Sequence, residues 1–226
     1  MDTRKLFLPL LVFGLIVGTT ACTPPKKDLE VEGKQLVSRK PPFTLALPSD
    51  FNLVHYFSHE NPGENSLTRV YFLIKAKEKQ VDEMLLLQIA DKTNPQAGPM
   101  KAAPLKPYTE KRLYLKEKLM KGELGVDYLI QLMAWNPDAP SLQPITKKGL
   151  FIPSHWTLQG QFLFLYQEQH AVFFRYSKDI HSFGVTISEK EDDWEKGVIS
   201  GNQKRVYETF HKTFMQMMDS IEIKTQ

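Results

Sequence analysis

Residues 161–166 read as a strand in which Phe162 and Phe164 alternate with Leu163 and Leu165, so both of its faces are apolar. Residues 126–135 repeat the pattern, with Val126, Tyr128 and Ile130 on one side and Leu129 and Met133 on the other. A strand that is hydrophobic on both faces needs cover on both faces. This excludes a sheet with one wet side and calls for a layered fold. The chain has the material for it: 226 residues, 42% hydrophobic and 11% aromatic, enough apolar surface to offset the entropy of ordering.

Period-two patterns dominate from Phe43 onward. Phe43, Leu45 and Leu47 predict a first strand, closed by Pro48-Ser49-Asp50. Residues 53–57, 69–76 and 84–90 predict three more, and 161–166 with 170–176 a hairpin around Glu168-Gln169. Phe183, Val185 and Ile187 suggest another. Residues 109–121 fit a strand through Leu113, Leu115 and Leu119, although their lysines and the following Gly122 also fit a helix end; the reading leans to strand. One helix is clear. At about 100° per residue, Val206, Tyr207, Phe210, Phe214, Met217, Met218 and Ile221 gather on one side. Residues 92–107 and 137–153 carry four prolines each and read as long excursions from one sheet, so 43–226 is expected to be a single domain.

The N-terminus carries a different kind of signal. Arg4 and Lys5 precede an apolar run that ends at Ala21, too short and too interrupted by Pro9 and two glycines for a membrane span of ~30 Å. It reads as a signal peptide over 1–21. The only cysteine, Cys22, follows Thr19-Thr20-Ala21. This arrangement resembles the lipobox of bacterial lipoproteins, in which the thiol is acylated and becomes the mature N-terminus. The resemblance implies lipidation at Cys22, an extracytoplasmic position and, with Thr23 next, the periplasmic side of the outer membrane in a cell that has two membranes. Residues 22–42, with four prolines and few apolar side chains, read as a flexible, solvated tether spanning up to ~65 Å, whose Lys26, Lys27, Arg39 and Lys40 could alternatively touch anionic headgroups.

The hairpin-like Phe43-Thr-Leu-Ala-Leu-Pro-Ser-Asp-Phe51, the run of antiparallel strands and the closing helix leading into Ser220-Ile-Glu-Ile223 resemble the PsbP/Mog1/DcrB-like group. The resemblance implies an α+β fold: a mainly antiparallel sheet flanked by helices in an α/β/α sandwich, with a long amphipathic C-terminal helix. It also implies an accessory or binding role, and it supplies no catalytic residue.

The residues themselves offer little chemistry. There is no Gly-x-Ser-x-Gly elbow, no Ser-x-x-Lys and no phosphate-cradling loop. A single cysteine excludes disulfides within the chain and cysteine zinc clusters. On a strand, His55 and His59 would stand ~13 Å apart, too far to share a metal. The acids Glu189, Glu191, Asp192, Asp193 and Glu195 around Trp194 lack the spacing of a calcium loop. A net charge of +3 does not call for nucleic acid. Trp135 and Trp156 flank the second proline-rich excursion, and this is the place to expect a partner surface, facing an envelope protein or cell-wall sugar. The sequence therefore predicts a lipid-anchored, non-enzymatic binding or assembly module without cofactor or metal. Two alternatives stand beside it: an enzyme built from dispersed residues, such as an acid with His155 or His170, and a carrier of lipid or another small ligand.

Overall fold

The computed structural model describes residues 28–153 and 156–223. The leader, Cys22, the first residues of the expected tether and His155 lie outside them. Eleven strands form among the described residues. β1 (Leu29–Glu32), β2 (Gln35–Arg39) and β3 (Pro42–Ala46) are followed by β4 (Asn52–Asn61), β5 (Ser66–Lys77) and β6 (Gln80–Lys92). After a long excursion come β7 (Leu113–Lys121) and β8 (Leu124–Ala134). The second excursion contains the single-turn α1 (Gln143–Thr146). Then β9 (Trp156–Tyr166), β10 (His170–Asp179), the helix α2 (Gly201–Asp219) and β11 (Glu222–Ile223) complete the chain.

Two antiparallel sheets result, one of four strands in the order β1-β2-β3-β11 and one of seven in the order β4-β5-β6-β10-β9-β8-β7. The larger sheet joins two meanders, β4–β6 and β7–β10, along the β6–β10 pair. β6 lies inside the sheet and β7 at its far edge, so the chain between them has to cross a face of β10, β9 and β8. That crossing is the first proline-rich excursion. On the opposite face, α2 and the small sheet lie against the large one. Phe43 of β3 meets Phe164 and Phe174 edge-on at 6.1 and 5.7 Å, and Phe210 of α2 stacks on Tyr176 at 5.3 Å. Val206, Phe210, Phe214, Met217 and Met218 are buried there, the apolar side of the helix turned to the sheet. Gly160 makes room for it: a Cβ at that position would stand 2.4 Å from the Phe214 ring.

The expected α/β/α sandwich does not form. Among the described residues, one face has a single helix beside a second sheet, and the other has no helical layer. Its cover comes from the two excursions. Leu105 of the first packs on Leu113, Leu129 and Leu163. Trp135, Leu142, Ile145 and Ile152 of the second pack on Val70, Phe72, Ile74 and Met84. Prolines at 95, 99, 104 and 107, then at 137, 140, 144 and 153, remove amide donors and break any helix longer than a turn. On this face the cover is supplied by loops in place of helices, and it is partial.

Three local expectations change as well. Part of the supposed tether is folded, since β1 and β2 form a hairpin that pairs with β3. Leu36 is wholly buried and Leu29 nearly so, the apolar side chains that the hairpin turns inward. Residues 183–187 form no strand; Phe183 closes a 3-10 turn, and Val185 and Ile187 pack half-buried at the rim of the main core. Residues 110–112 form a 3-10 turn, and the strand begins only at Leu113.

Candidate functional site

Strand register places a defined set of side chains on the face that the excursions cover. One row across the sheet runs His55, Phe72, Leu86, Arg175, Gln161 and Leu129. The next runs Phe57, Val70, Gln88, Phe173, Leu163 and Asp127. The excursions cover different parts of this surface. Phe173 is half-buried and packs against the hydrophobic clusters under both, so it marks the seam between them. On the same face, Phe57 and Leu165 are each 39% exposed, and Gln88 is half-buried.

Along the edge strand β4, alternation brings His55, Phe57 and His59 to this same face as a stripe of rings. His55 and Phe57 have centroids 5.8 Å apart, and Phe57 and His59 are stacked at 6.1 Å. Burial lowers the pKa of both histidines, and the nearby Lys148 charge adds to the effect at His55. Neutral imidazoles on either side of Phe57 make the stripe an aromatic surface at neutral pH.

Behind the seam lies a chain of buried amides. The Tyr108 amide of the first excursion donates to Gln131 Oε1 at 2.6 Å, and Gln131 Nε2 donates to Gln159 Oε1 at 2.9 Å. Gln161 Nε2 donates to that same oxygen at 2.5 Å, and Gln159 Nε2 donates to Ser177 Oγ at 3.3 Å. The network fixes the excursion to β8, β9 and β10 and keeps these polar side chains satisfied.

Arg175 stands apart from it. Every other lysine or arginine that is not exposed among the described residues holds an oxygen. Arg69 binds Asp28 and Asp91, Lys75 and Lys178 bind Glu83, and Arg112 binds Glu191. Lys92 reaches the Glu64 carbonyl, and Lys121 the carbonyls of Met218, Asp219 and Ile221. The Arg175 guanidinium lies over the Phe173 ring, 5.5 Å from its centroid. Its Nε is fully enclosed with no hydrogen-bond partner. The residue as a whole is only half-buried, so the terminal nitrogens are the part that keeps contact with solvent at the seam. Burial pushes its pKa below the ordinary arginine value, with no neighbouring charge in opposition.

The tryptophans expected to form the partner surface have other duties. Trp135 is 5% exposed and belongs to the core under the second excursion. Its ring is not offered to solvent. Trp156 is half-buried at the start of β9, with the Arg112 guanidinium stacked 4.6 Å from its ring. Among the described residues, His170 and His181 stand in the kind of acid-histidine pair that an enzyme would need. His170 Nδ1 lies 2.6 Å from Asp91 Oδ1, but the other oxygen of Asp91 is held by Arg69 at 2.7 Å, which makes the group a clamp. His181 bridges Asp179 and Glu189 at 3.1 and 3.0 Å. The acid cluster forms a 3-10 turn around the buried Trp194, with Glu191 and Glu195 paired to Arg112 and Lys111. Sequence reasoning passed over Arg175, Phe173 and Phe57. The signal was one arginine at an inward position of an otherwise greasy strand.

Compared with known proteins, the chain matches no family model, no curated protein and no solved structure.

Proposed function

We propose that this chain is a lipid-anchored protein of the cell envelope, acting as a non-enzymatic binding or assembly module. Cys22 carries the acyl chains, and the seam on the large sheet is the surface that meets the partner. The anchor rests on the residues: a basic start, an apolar run without the length of a span, and the one cysteine directly behind Thr19-Thr20-Ala21. Each acyl methylene buried contributes ~0.8 kcal/mol, so two or more chains give lasting attachment. The observation that carries the binding role is the partly exposed apolar surface of Phe57, Phe173 and Leu165 on the face that the excursions cover, together with Arg175, a charged group without a protein partner stacked on Phe173. Two long loops braced on a rigid sheet frame it.

The anchor is tested by labelling cells with an alkyne palmitate analogue. Wild-type protein is expected to take the label and sediment with membranes, whereas Cys22→Ala is unlabelled and released. A labelled Cys22→Ala, or an unlabelled wild type, refutes the anchor. For the binding surface, a photo-crosslinking residue at Phe57 is expected to trap one defined partner that the same group at Lys204, on the exposed side of α2, does not trap. Equal capture from both positions, or none from Phe57, refutes the assignment of the surface.

A further inference from the structure

We propose that Arg175 is the seat of an oxyanion, a carboxylate or phosphate group carried by the ligand, which docks at the seam between the two excursions. The proposal deepens the binding role given above and rests on it only for the identity of the surface. Its physical basis does not need the anchor.

A guanidinium has five N–H donors and keeps its charge, so folding cannot remove the cost of enclosing it by deprotonation. Enclosing part of a charged group without a partner is unfavourable, and the usual compensation is a carboxylate close by. This protein applies that rule at Arg69 and Arg112 and departs from it at Arg175. The departure is local. Across β9 the register partner of Arg175 is Gln161, whose amide donates to Gln159, and across β6 it is Leu86. Phe173 lies against the guanidinium, 5.5 Å from ring centroid to Cζ, and of the guanidinium nitrogens only Nε is enclosed without a partner.

A carboxylate or phosphate arriving there would meet the paired N–H groups in the two-pronged geometry that arginine favours. It would supply the charge that the fold withholds, and the Phe173 ring would take the apolar part of the same ligand. The site is therefore specific for an anion with an apolar body. It also predicts a cost in the empty protein that the anion relieves.

The test uses the full chain in detergent, titrated with sodium phosphate and, separately, with sodium acetate at constant ionic strength, by calorimetry and by thermal unfolding. Saturable binding of at least one anion is expected, with Tm rising as that anion is added. The two salts separate a phosphate seat from a carboxylate seat. Arg175→Met should weaken the binding at least tenfold while its anion-free Tm equals or exceeds the wild-type value, because an unpaired charge has been removed. Arg175→Lys keeps the charge but not the fork, and is expected to fold and to lose affinity, which covers the case in which the methionine variant does not fold. Arg39→Gln, at an exposed arginine paired with Glu30, should bind as the wild type does. Absence of saturable binding for both salts, unchanged affinity in the Arg175 variants, or a marked fall in the anion-free Tm of a folded Arg175→Met overturns the proposal. Because no readout depends on acylation, failure here is separable from failure of the anchor.

Discussion

Gly160 and Glu83 show how single positions hold this fold together. At Gly160 the absence of a Cβ lets the Phe214 ring lie on the backbone of β9. Gly160→Ala puts a methyl into space already filled by a ring that is completely buried, and overpacking of this kind costs about 1–3 kcal/mol. The loss should appear as a lower denaturant midpoint, partly recovered by adding Phe214→Leu. Glu83 is a buried carboxylate that accepts from Lys75 at 2.9 Å, Tyr176 at 2.6 Å, Lys178 at 3.2 Å and Ser49 at 3.2 Å. Burial alone would raise its pKa, but the hydrogen bonds from Lys75 and Tyr176 and the two lysine charges outweigh it, and the net direction is down. A carboxyl depressed in the folded state contributes stability that is present above its unfolded value of about 4.3 and is lost as pH falls through the folded value. Glu83→Gln should therefore lose about 1–3 kcal/mol at pH 7 and show a flatter loss of stability below about pH 4, read from denaturant midpoints across the acid range.

The hairpin of β1 and β2 is held at its root by Arg69. That side chain binds Asp28 at 2.9 Å, Asp91 at 2.7 Å and the Lys40 carbonyl at 2.6 Å, and Asp91 in turn meets His170. Arg69→Met leaves Asp91 buried without its cation, at a cost of about 3–5 kcal/mol. Hydrogen exchange should then accelerate in β1 and β2 before it does in β8 and β9, and equal acceleration everywhere would speak against a clamp. The strands and α2 were legible in the sequence because each carries a period that survives in the residues: Val126, Tyr128 and Ile130 in β8, or Phe210, Phe214 and Met217 in the helix. The turns were less so. β5 and β6 close on Glu78 and Lys79, both at positive φ. These are places where glycine or asparagine is the usual signal, and its absence hid the continuity of β5 with β6. The hairpin of β1 and β2 was hidden because its main fastening, Arg69, lies thirty residues farther along the chain than Arg39. The seam was illegible for a related reason. Arg175 becomes unusual only when the positions of all the carboxylates are known.

At the level of the whole molecule, prolines that forbid a second helical layer also leave the sheet incompletely covered, with Phe57 and Leu165 partly exposed, and this is where the proposed binding surface lies. Two-sided apolar strands set the architecture; the material of the second cover set where it stays open. The clamp at Arg69 bears on a different matter, the reach of the protein. With Asp28 fixed to the sheet, only the five residues 23–27 separate it from Cys22, and even fully extended the path from Cys22 to Asp28 spans no more than ~22 Å. Under the proposed acylation the domain cannot patrol the depth of the envelope. It is confined to a thin layer at the bilayer surface, where the effective concentration of other membrane-bound molecules is high and that of distant ones is close to zero.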